Sequence, residues 1–131
     1  MTGAVKKILV VDDEPDTVAY LTAILEDNEY AVCSAHDAEK AMELLDKELP
    51  DLMLLDVMMP GASGLNLIRR VRSHPRHGAL PVIVVSGKAE VLQEGFRSYL
   101  DRFCVKHPDG IAEKPFDPTV LLKMVDGLLE G

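Results

Sequence analysis

The chain has few residues of the kinds that mark secreted, membrane or nucleic-acid-binding proteins. It contains no tryptophan, and its only two cysteines, Cys33 and Cys104, lie too far apart for a disulfide framework. A reduced, cytoplasmic protein is therefore expected. The apolar runs have strand length, so they predict no membrane span, and no signal-peptide pattern precedes the first run. A net charge of −8 argues against a nucleic-acid-binding surface in this domain.

What is present is the composition of an ordinary globular domain. Hydrophobic residues make up 47% and charged residues 27% of the 131 positions, which is typical of soluble proteins. We find no internal repeat, low-complexity tract or linker. The sequence therefore predicts a single domain over residues 1–131, large enough to bury about two-thirds of its unfolded surface.

Short apolar runs alternate with segments of helical periodicity along the whole chain. Strands are predicted at about 6–11, 30–34, 52–56 and 81–86, with a short fifth strand before Lys114. Helices are predicted to begin at Glu14-Pro15, at Asp37, at Ser63 and at Asp117-Pro118, and residues 88–109 are predicted to be mostly helical. Five such βα units predict a three-layer αβα sandwich, a flavodoxin-like doubly wound parallel sheet. Strand order 2-1-3-4-5 is favoured because it places the ends of strands one and three at the switch point.

Helical periodicity also predicts which faces are buried. In the third helix, Leu67, Ile68 and Val71 share one face, and Arg69, Arg70 and Arg72 are predicted to point outward. In the last helix the predicted apolar stripe consists of Val120, Leu121, Met124, Val125 and Leu128. Leu49-Pro50 is expected to end the second helix, because a residue before proline avoids the helical region.

Residues that handle phosphate or metal ions follow the ends of four predicted strands. Strand one ends at Asp12-Asp13, strand three at Asp56, strand four at Ser86 and strand five at Lys114. Ligands of parallel α/β sheets bind outside the carboxyl ends of the strands. Each group alone has a simpler explanation as turn chemistry. Together they predict one site for a divalent cation and a phosphoryl group.

The chemistry of these groups fits phosphoryl transfer. Magnesium takes oxygen ligands, which Asp12, Asp13 and Asp56 supply, and the ion offsets the repulsion among the three carboxylates. An ionised carboxylate can also act as a nucleophile and form an aspartyl-phosphate. Phosphoryl transfer asks the protein mainly for positioning and charge neutralisation. The Lys114 ammonium and the Ser86 hydroxyl could each contact a further phosphoryl oxygen.

Four segments carry a resemblance to a known family: ILVVDDEP at 8–15, LMLLDVMMPGASGL at 52–65, PVIVVSG at 81–87 and EKPF at 113–116. With them, the chain resembles the receiver domain of two-component response regulators over essentially its whole length. The resemblance implies that Asp56 accepts a phosphoryl group from a phosphohistidine. It implies that Asp12, Asp13, Asp56 and the main-chain carbonyl of Met58 hold Mg²⁺. Ser86 would be the switch hydroxyl and Lys114 the bridging cation.

The resemblance also implies partners and a mode of signalling. The phosphoryl donor would be a sensor histidine kinase or a phosphotransfer protein. The recipient of the signal would be a downstream protein target or an output domain. The domain would signal by a conformational change of the face formed by strand four, the helix after it and strand five. The domain would catalyse only its own phosphorylation and dephosphorylation. The alternative is a receiver fragment of a longer regulator or hybrid histidine kinase.

The chain departs from the family pattern at the switch. Ile111 stands three positions before Lys114, where the family usually has an aromatic residue, and the segment between Ser86 and Lys114 is longer than usual. We hypothesise that a rearranged helix or an aromatic residue of that segment replaces the usual switch residue. The candidates are Phe96, Tyr99 and Phe103.

The histidines give no metal-binding pattern in the sequence. The segment from His74 to His77, His-Pro-Arg-His, is interpreted as a turn. It belongs to a basic stretch that is either a solvated surface or a docking patch for a kinase or an acidic partner. That stretch comprises Arg69, Arg70, Arg72, His74, Arg76 and His77.

Overall fold

The computed structural model describes residues 5–56, 63–86, 98, 101–102, 106–113 and 117–129, with the backbone alone for 63–65, 86 and 113. This part of the chain contains five strands and four longer helices. The strands are β1 (Lys7–Val11), β2 (Ala31–Ala35), β3 (Leu52–Asp56), β4 (Val82–Ser86) and β5 (Gly110–Glu113). The helices are α1 (Pro15–Asp27), α2 (Ala38–Glu48), α3 (Ser63–Ser73) and α4 (Pro118–Leu129).

The five strands form one parallel sheet in the order β2-β1-β3-β4-β5, as the sequence predicts. β1 lies between β2 and β3. Its residue Val11 is opposite Ala35 of β2 on one side and Leu55 of β3 on the other. Asp56 in turn lies opposite Val85 of β4. The carboxyl ends of β1, β3 and β4 therefore lie side by side at one edge of the sheet.

Two hydrophobic layers cover the sheet because consecutive strand residues point to opposite faces. On β1, Leu9 and Val11 pack against α2 and α3, and Ile8 and Val10 pack against α1 and α4. All four side chains are almost completely buried. Strands buried on both faces explain why the apolar runs are continuous and not alternating. The predicted three-layer architecture is confirmed.

The helix ends follow local chemistry. Pro15 is the first residue of α1, where a missing N–H costs little. Asp37 caps α2 by accepting a hydrogen bond from the Lys40 N–H at 2.8 Å. α2 ends at Glu48, and Leu49 adopts the left-handed conformation with φ 48° before Pro50. Ser63, at which α3 is predicted to begin, is its first helical residue.

Most of the predicted helix over 88–109 falls outside the described residues, and so do Phe96, Tyr99 and Phe103. Residues 98, 101 and 102 are helical. In α4 the prediction for Val120 is wrong, because its side chain is 54% exposed. Leu121 and Val125, one helical turn apart, face the sheet, and Val120 lies beside that line on the open surface.

The prediction that Arg72 points outward is also wrong. Its side chain is 1% exposed, although Leu67, Ile68 and Val71 do form the buried face of α3. The guanidinium reaches past the end of the helix and donates to five acceptors. These are the carbonyls of Gly78 at 3.1 Å, Leu80 at 2.5 Å, Lys106 at 3.3 Å and His107 at 3.3 Å, and Asp109 Oδ2 at 3.0 Å.

An arginine side chain has five N–H donors, so every donor of Arg72 has an acceptor. Its partners come from two separate stretches, one before β4 and one before β5. Asp109 completes the connection by accepting the Val82 N–H at 2.9 Å on the same oxygen that contacts Arg72. The Arg72–Asp109 pair therefore holds the entries of β4 and β5 together.

We predict that Arg72→Ala lowers the free energy of unfolding by about 3–5 kcal/mol, because it removes the buried charged partner of Asp109 and the side-chain donor to four carbonyls. Urea denaturation measures the loss. Arg70→Ala is the matched control, since Arg70 pairs with Glu39 on the exposed surface, and it should cost below about 1 kcal/mol. Equal losses for the two variants would contradict this role of Arg72.

We also predict an acid-sensitive contribution from Asp109, whose side chain is 17% exposed. Burial alone would raise the pKa of this carboxyl group, but the Val82 N–H, Lys106 and Arg72 together lower it below its usual value. A lowered folded-state pKa stabilises the fold above the unfolded pKa of about 3.9, and the contribution is lost as the pH falls through the folded pKa.

Unfolding curves from about pH 5 to pH 2 should therefore show a steeper acid loss for the wild type than for Asp109→Asn. The difference between the two proteins isolates this group from the other carboxyl groups that titrate in the same range. Parallel curves would show that the Asp109 contacts do not contribute.

Candidate functional site

The fold brings together the three carboxylates that the sequence predicts at one edge of the sheet. Asp12 and Asp13 directly follow β1, and Asp56 is the last residue of β3. The parallel pairing of Val11 with Leu55 aligns the two strand ends. One carboxylate oxygen from each aspartate lies within 4.8 Å of the others. The predicted convergence of Asp12, Asp13 and Asp56 is therefore present.

The three aspartates differ in exposure. Asp12 is 2% exposed and Asp56 is 5% exposed, whereas Asp13 lies on the surface. Asp12 is held at both ends: its N–H donates to the Ala35 carbonyl at 3.1 Å, and its Oδ1 accepts the Glu14 N–H at 2.9 Å. The site thus has two buried carboxylates on the sheet edge and one that faces solvent.

The donor set fits a hard divalent cation. Mg²⁺ prefers oxygen ligands and is usually held by one or two carboxylates, with waters and phosphate oxygens completing its coordination. Three carboxylates within 4.8 Å of one another provide these oxygens, and their mutual repulsion favours binding of a cation. Asp12, Asp13 and Asp56 are the residues that would hold the ion.

A cleft of about 380 Å³ opens next to the carboxylates, between the start of α1 and the end of β2. Its walls include Asp12, Asp13, Val18, Ser34 and His36. Ser34 and His36 are not among the site residues predicted from the sequence. Their position could have been predicted from the strand order, because a strand β2 that pairs with β1 must end next to Asp12.

The remaining predicted site residues are described in part. Ser86 ends β4 next to β3, so its backbone lies at the same edge of the sheet as Asp56. Glu113, which precedes Lys114 in the chain, pairs with Ser86 across β4 and β5. Lys114 itself and Met58 lie outside the described residues. Their predicted roles, and that of the Ser86 hydroxyl, stay predictions.

Ile111 lies on β5 with its side chain 42% exposed. An aliphatic side chain therefore occupies the surface position that the aromatic switch residue was expected to fill.

None of the helices in the described part of the chain has the length and apolar character that a membrane span needs.

Comparison with known proteins gives one family. Residues 8–126 match the family model of the response regulator receiver domain. An uncharacterised 14.6 kDa protein of Leptolyngbya boryana is 39% identical over 130 residues, covering 95% of this chain and 90% of that protein. The protein PilH of Pseudomonas aeruginosa is 32% identical over 131 residues, covering 95% of this chain and 98% of that protein.

Solved structures agree with this assignment. A putative response regulator from Chloroflexus aurantiacus J-10-fl superposes with a TM-score of 0.81 at 30% identity, covering 98% of this chain and all of that one. The chemotaxis response regulator CheY4 of Vibrio cholerae superposes with a TM-score of 0.81 at 24% identity, covering 96% and 100% of the two chains. The latter similarity supports the fold alone.

We predict that Asp13→Ala raises the dissociation constant for Mg²⁺ by about tenfold, equivalent to about 1.4 kcal/mol of lost attraction. Isothermal titration calorimetry measures the affinity. Asp16→Ala is the matched control, because Asp16 is an exposed acid in the first turn of α1 outside the three-aspartate cluster. An equal effect of both substitutions would mean that only general surface charge attracts the ion.

Proposed function

This chain belongs to the response regulator receiver domain family of two-component signalling, and on that basis we propose that it is a phosphoacceptor whose phosphorylated residue is Asp56. It is a signalling domain and not a classical enzyme. The only reactions we propose for it are its own phosphorylation and dephosphorylation. The observation that carries the proposal is the meeting of Asp12, Asp13 and Asp56 at one edge of the sheet.

Asp56 is best placed to be the nucleophile. It is the last residue of the central strand β3, whose residues are all buried, so the sheet fixes the position of its backbone. Asp12 is tied to neighbouring backbone groups by two hydrogen bonds, and Asp13 is exposed. We therefore assign cation binding to Asp12 and Asp13 together with Asp56, and bond formation to Asp56 alone. The family resemblance adds the Met58 main-chain carbonyl to the proposed ligands of the ion.

The proposed reaction transfers a phosphoryl group from a phosphohistidine of a kinase or phosphotransfer protein. An Asp56 carboxylate oxygen forms a bond to phosphorus as the phosphorus–nitrogen bond breaks, and the electron pair of that bond returns to the departing imidazole. A bound Mg²⁺ would supply neutralisation of the phosphoryl charge. Lys114 and the Ser86 hydroxyl would bind the other phosphoryl oxygens.

We propose that the phosphorylated state is transmitted by the face that contains β4, the segment after it and β5. The recipient would be a downstream protein target or an output domain, and the setting would be the cytoplasm. Ile111 is exposed on this face. An aliphatic side chain cannot hydrogen-bond as a tyrosine can, so a rearranged helix or an aromatic residue of the segment after β4 would take over the switch.

The proposal is tested by incubation with acetyl phosphate and Mg²⁺ followed by mass spectrometry of the intact protein. The wild type should gain an acid-labile adduct of about 80 Da, the mass of one phosphoryl group. Asp56→Asn should lose the adduct and keep the fold, because an amide oxygen does not attack phosphorus as a carboxylate does.

Asp16→Asn is the matched control and should label like the wild type, since Asp16 lies on the surface of α1 away from the cluster. Tandem mass spectrometry after borohydride reduction would locate the modified residue. Unchanged labelling of Asp56→Asn would show that another residue accepts the phosphoryl group.

A further inference from the structure

A second group of possible metal ligands lies away from the three aspartates. Asp46 near the end of α2 and His74 and His77 after α3 each offer one ligand atom, and these atoms lie within 4.8 Å of one another. Both helices run antiparallel to the strands that they follow, so their last residues lie at the amino-terminal edge of the sheet. The aspartate cluster is at the carboxyl edge, which places the two groups at opposite ends of the domain.

Packing and hydrogen bonds hold the two histidines in position. His77 is 7% exposed, and its Nε2 lies 2.9 Å from Asp46 Oδ1. His74 Nδ1 accepts the Arg76 N–H at 3.0 Å, and the two imidazole rings have centroids 4.3 Å apart. Residues 75–79 form a turn, and this turn brings the two rings together.

The turn is itself anchored. Its Gly78 N–H donates to the His74 carbonyl at 3.0 Å, and the Gly78 carbonyl accepts from Arg72 at 3.1 Å. A Cβ at Gly78 would lie 3.0 Å from the Arg72 carbonyl oxygen and 3.1 Å from that of His74, so the backbone packs closely here. The backbone that carries His74 and His77 is therefore held in place by the fold. The distance between their rings does not depend on side-chain rotation alone.

Two imidazoles and one carboxylate form a nitrogen-rich ligand set. Magnesium and calcium prefer oxygen donors, whereas Zn²⁺, Ni²⁺ and Cu²⁺ bind imidazole well. We propose that Asp46, His74 and His77 form a second metal site, which takes a divalent transition metal such as Zn²⁺ and links α2 to the turn after α3. Three protein ligands leave one tetrahedral position open to water or to a group on another molecule.

Binding replaces contacts that the described residues now make. Arg76 Nη2 lies 3.1 Å from Asp46 Oδ1, and the Arg76 side chain is 65% exposed, so it can move into solvent when a metal takes that oxygen. The His77 nitrogen that contacts Asp46 must give up any proton that it carries, and that proton leaves to solvent. The Arg76 N–H loses its acceptor if the metal binds His74 Nδ1, but it lies on the exposed turn where water can replace the contact.

The test measures Zn²⁺ affinity by isothermal titration calorimetry in millimolar Mg²⁺, which competes with Zn²⁺ for the carboxylate site. The starting protein is Asp13→Ala, which removes one of the three carboxylates of that site and so lowers its contribution to Zn²⁺ binding. We expect one equivalent of Zn²⁺ to bind. Asp46→Asn and His74→Ala, each added to this protein, should weaken Zn²⁺ binding by more than about tenfold. Even the loss of a residue that only hydrogen-bonds to a metal ligand typically lowers metal affinity by that factor.

His107→Ala is the matched control. His107 Nε2 also lies 2.9 Å from a carboxylate oxygen, that of Asp101, but this pair belongs to neither of the groups of three ligands found among the described residues. Its removal should leave Zn²⁺ affinity unchanged. His77→Ala is not the first choice, because a buried side chain is lost and the fold could weaken independently of any metal.

A second measurement locates the ion. With Co²⁺ in place of Zn²⁺, the NMR signals of the His74 and His77 rings should shift or broaden strongly, and those of His36 and His107 should change little. The proposal is overturned if Zn²⁺ does not bind to Asp13→Ala, or if Asp46→Asn and His74→Ala bind as tightly as their parent. Equal perturbation of all four histidines would also overturn it. None of these results depends on phosphorylation of Asp56.

Discussion

The parallel pairing of β1 with β3 is the constraint on which the site depends. Its register aligns Val11 with Leu55, and the next residues of the two strands are Asp12 and Asp56. Three like charges gather at this edge only because the strands behind them are fixed by side chains buried on both faces. A slip by one residue would exchange those faces and separate the carboxylates. The stability of the apolar core thus holds together a group of charges that would repel one another in a free peptide.

Much of this arrangement could be predicted from the sequence, because its determinants are local. Continuous apolar runs predict buried parallel strands, Pro15 and Asp37 mark helix starts, and the rule that ligands bind at carboxyl ends brings Asp12, Asp13 and Asp56 together. Ser34 and His36 were missed for a different reason. They line the cleft because β2 lies beside β1, which the predicted strand order implied, but their residue types alone gave no sign of a role in the site.

Arg72 shows where periodicity fails. A charged residue on a helix is assigned to solvent unless its acceptors are known, and here the acceptors come from residues 78–80 and 106–109, which no helical pattern connects to α3. The same limit applies to Asp46, His74 and His77. His77 and Asp46 lie 31 positions apart, so only the packing of α2 beside α3 makes them neighbours. Val120 was wrongly assigned to the buried face of α4. It lies next to four apolar residues at helical spacing, so the sequence pattern does not show where the buried face ends.

The long separation of the paired strands has a consequence for how the molecule assembles. Lys7 and Asp51, which exchange hydrogen bonds at the start of the β1–β3 pair, are 44 positions apart in the chain. Closing a loop of that length costs chain entropy before any contact repays it, so such pairings form slowly compared with helices. Nascent chains therefore carry Asp12-Asp13 for a time as an ordinary acidic dipeptide. The three carboxylates can converge only after β3 has been synthesised and has paired with β1.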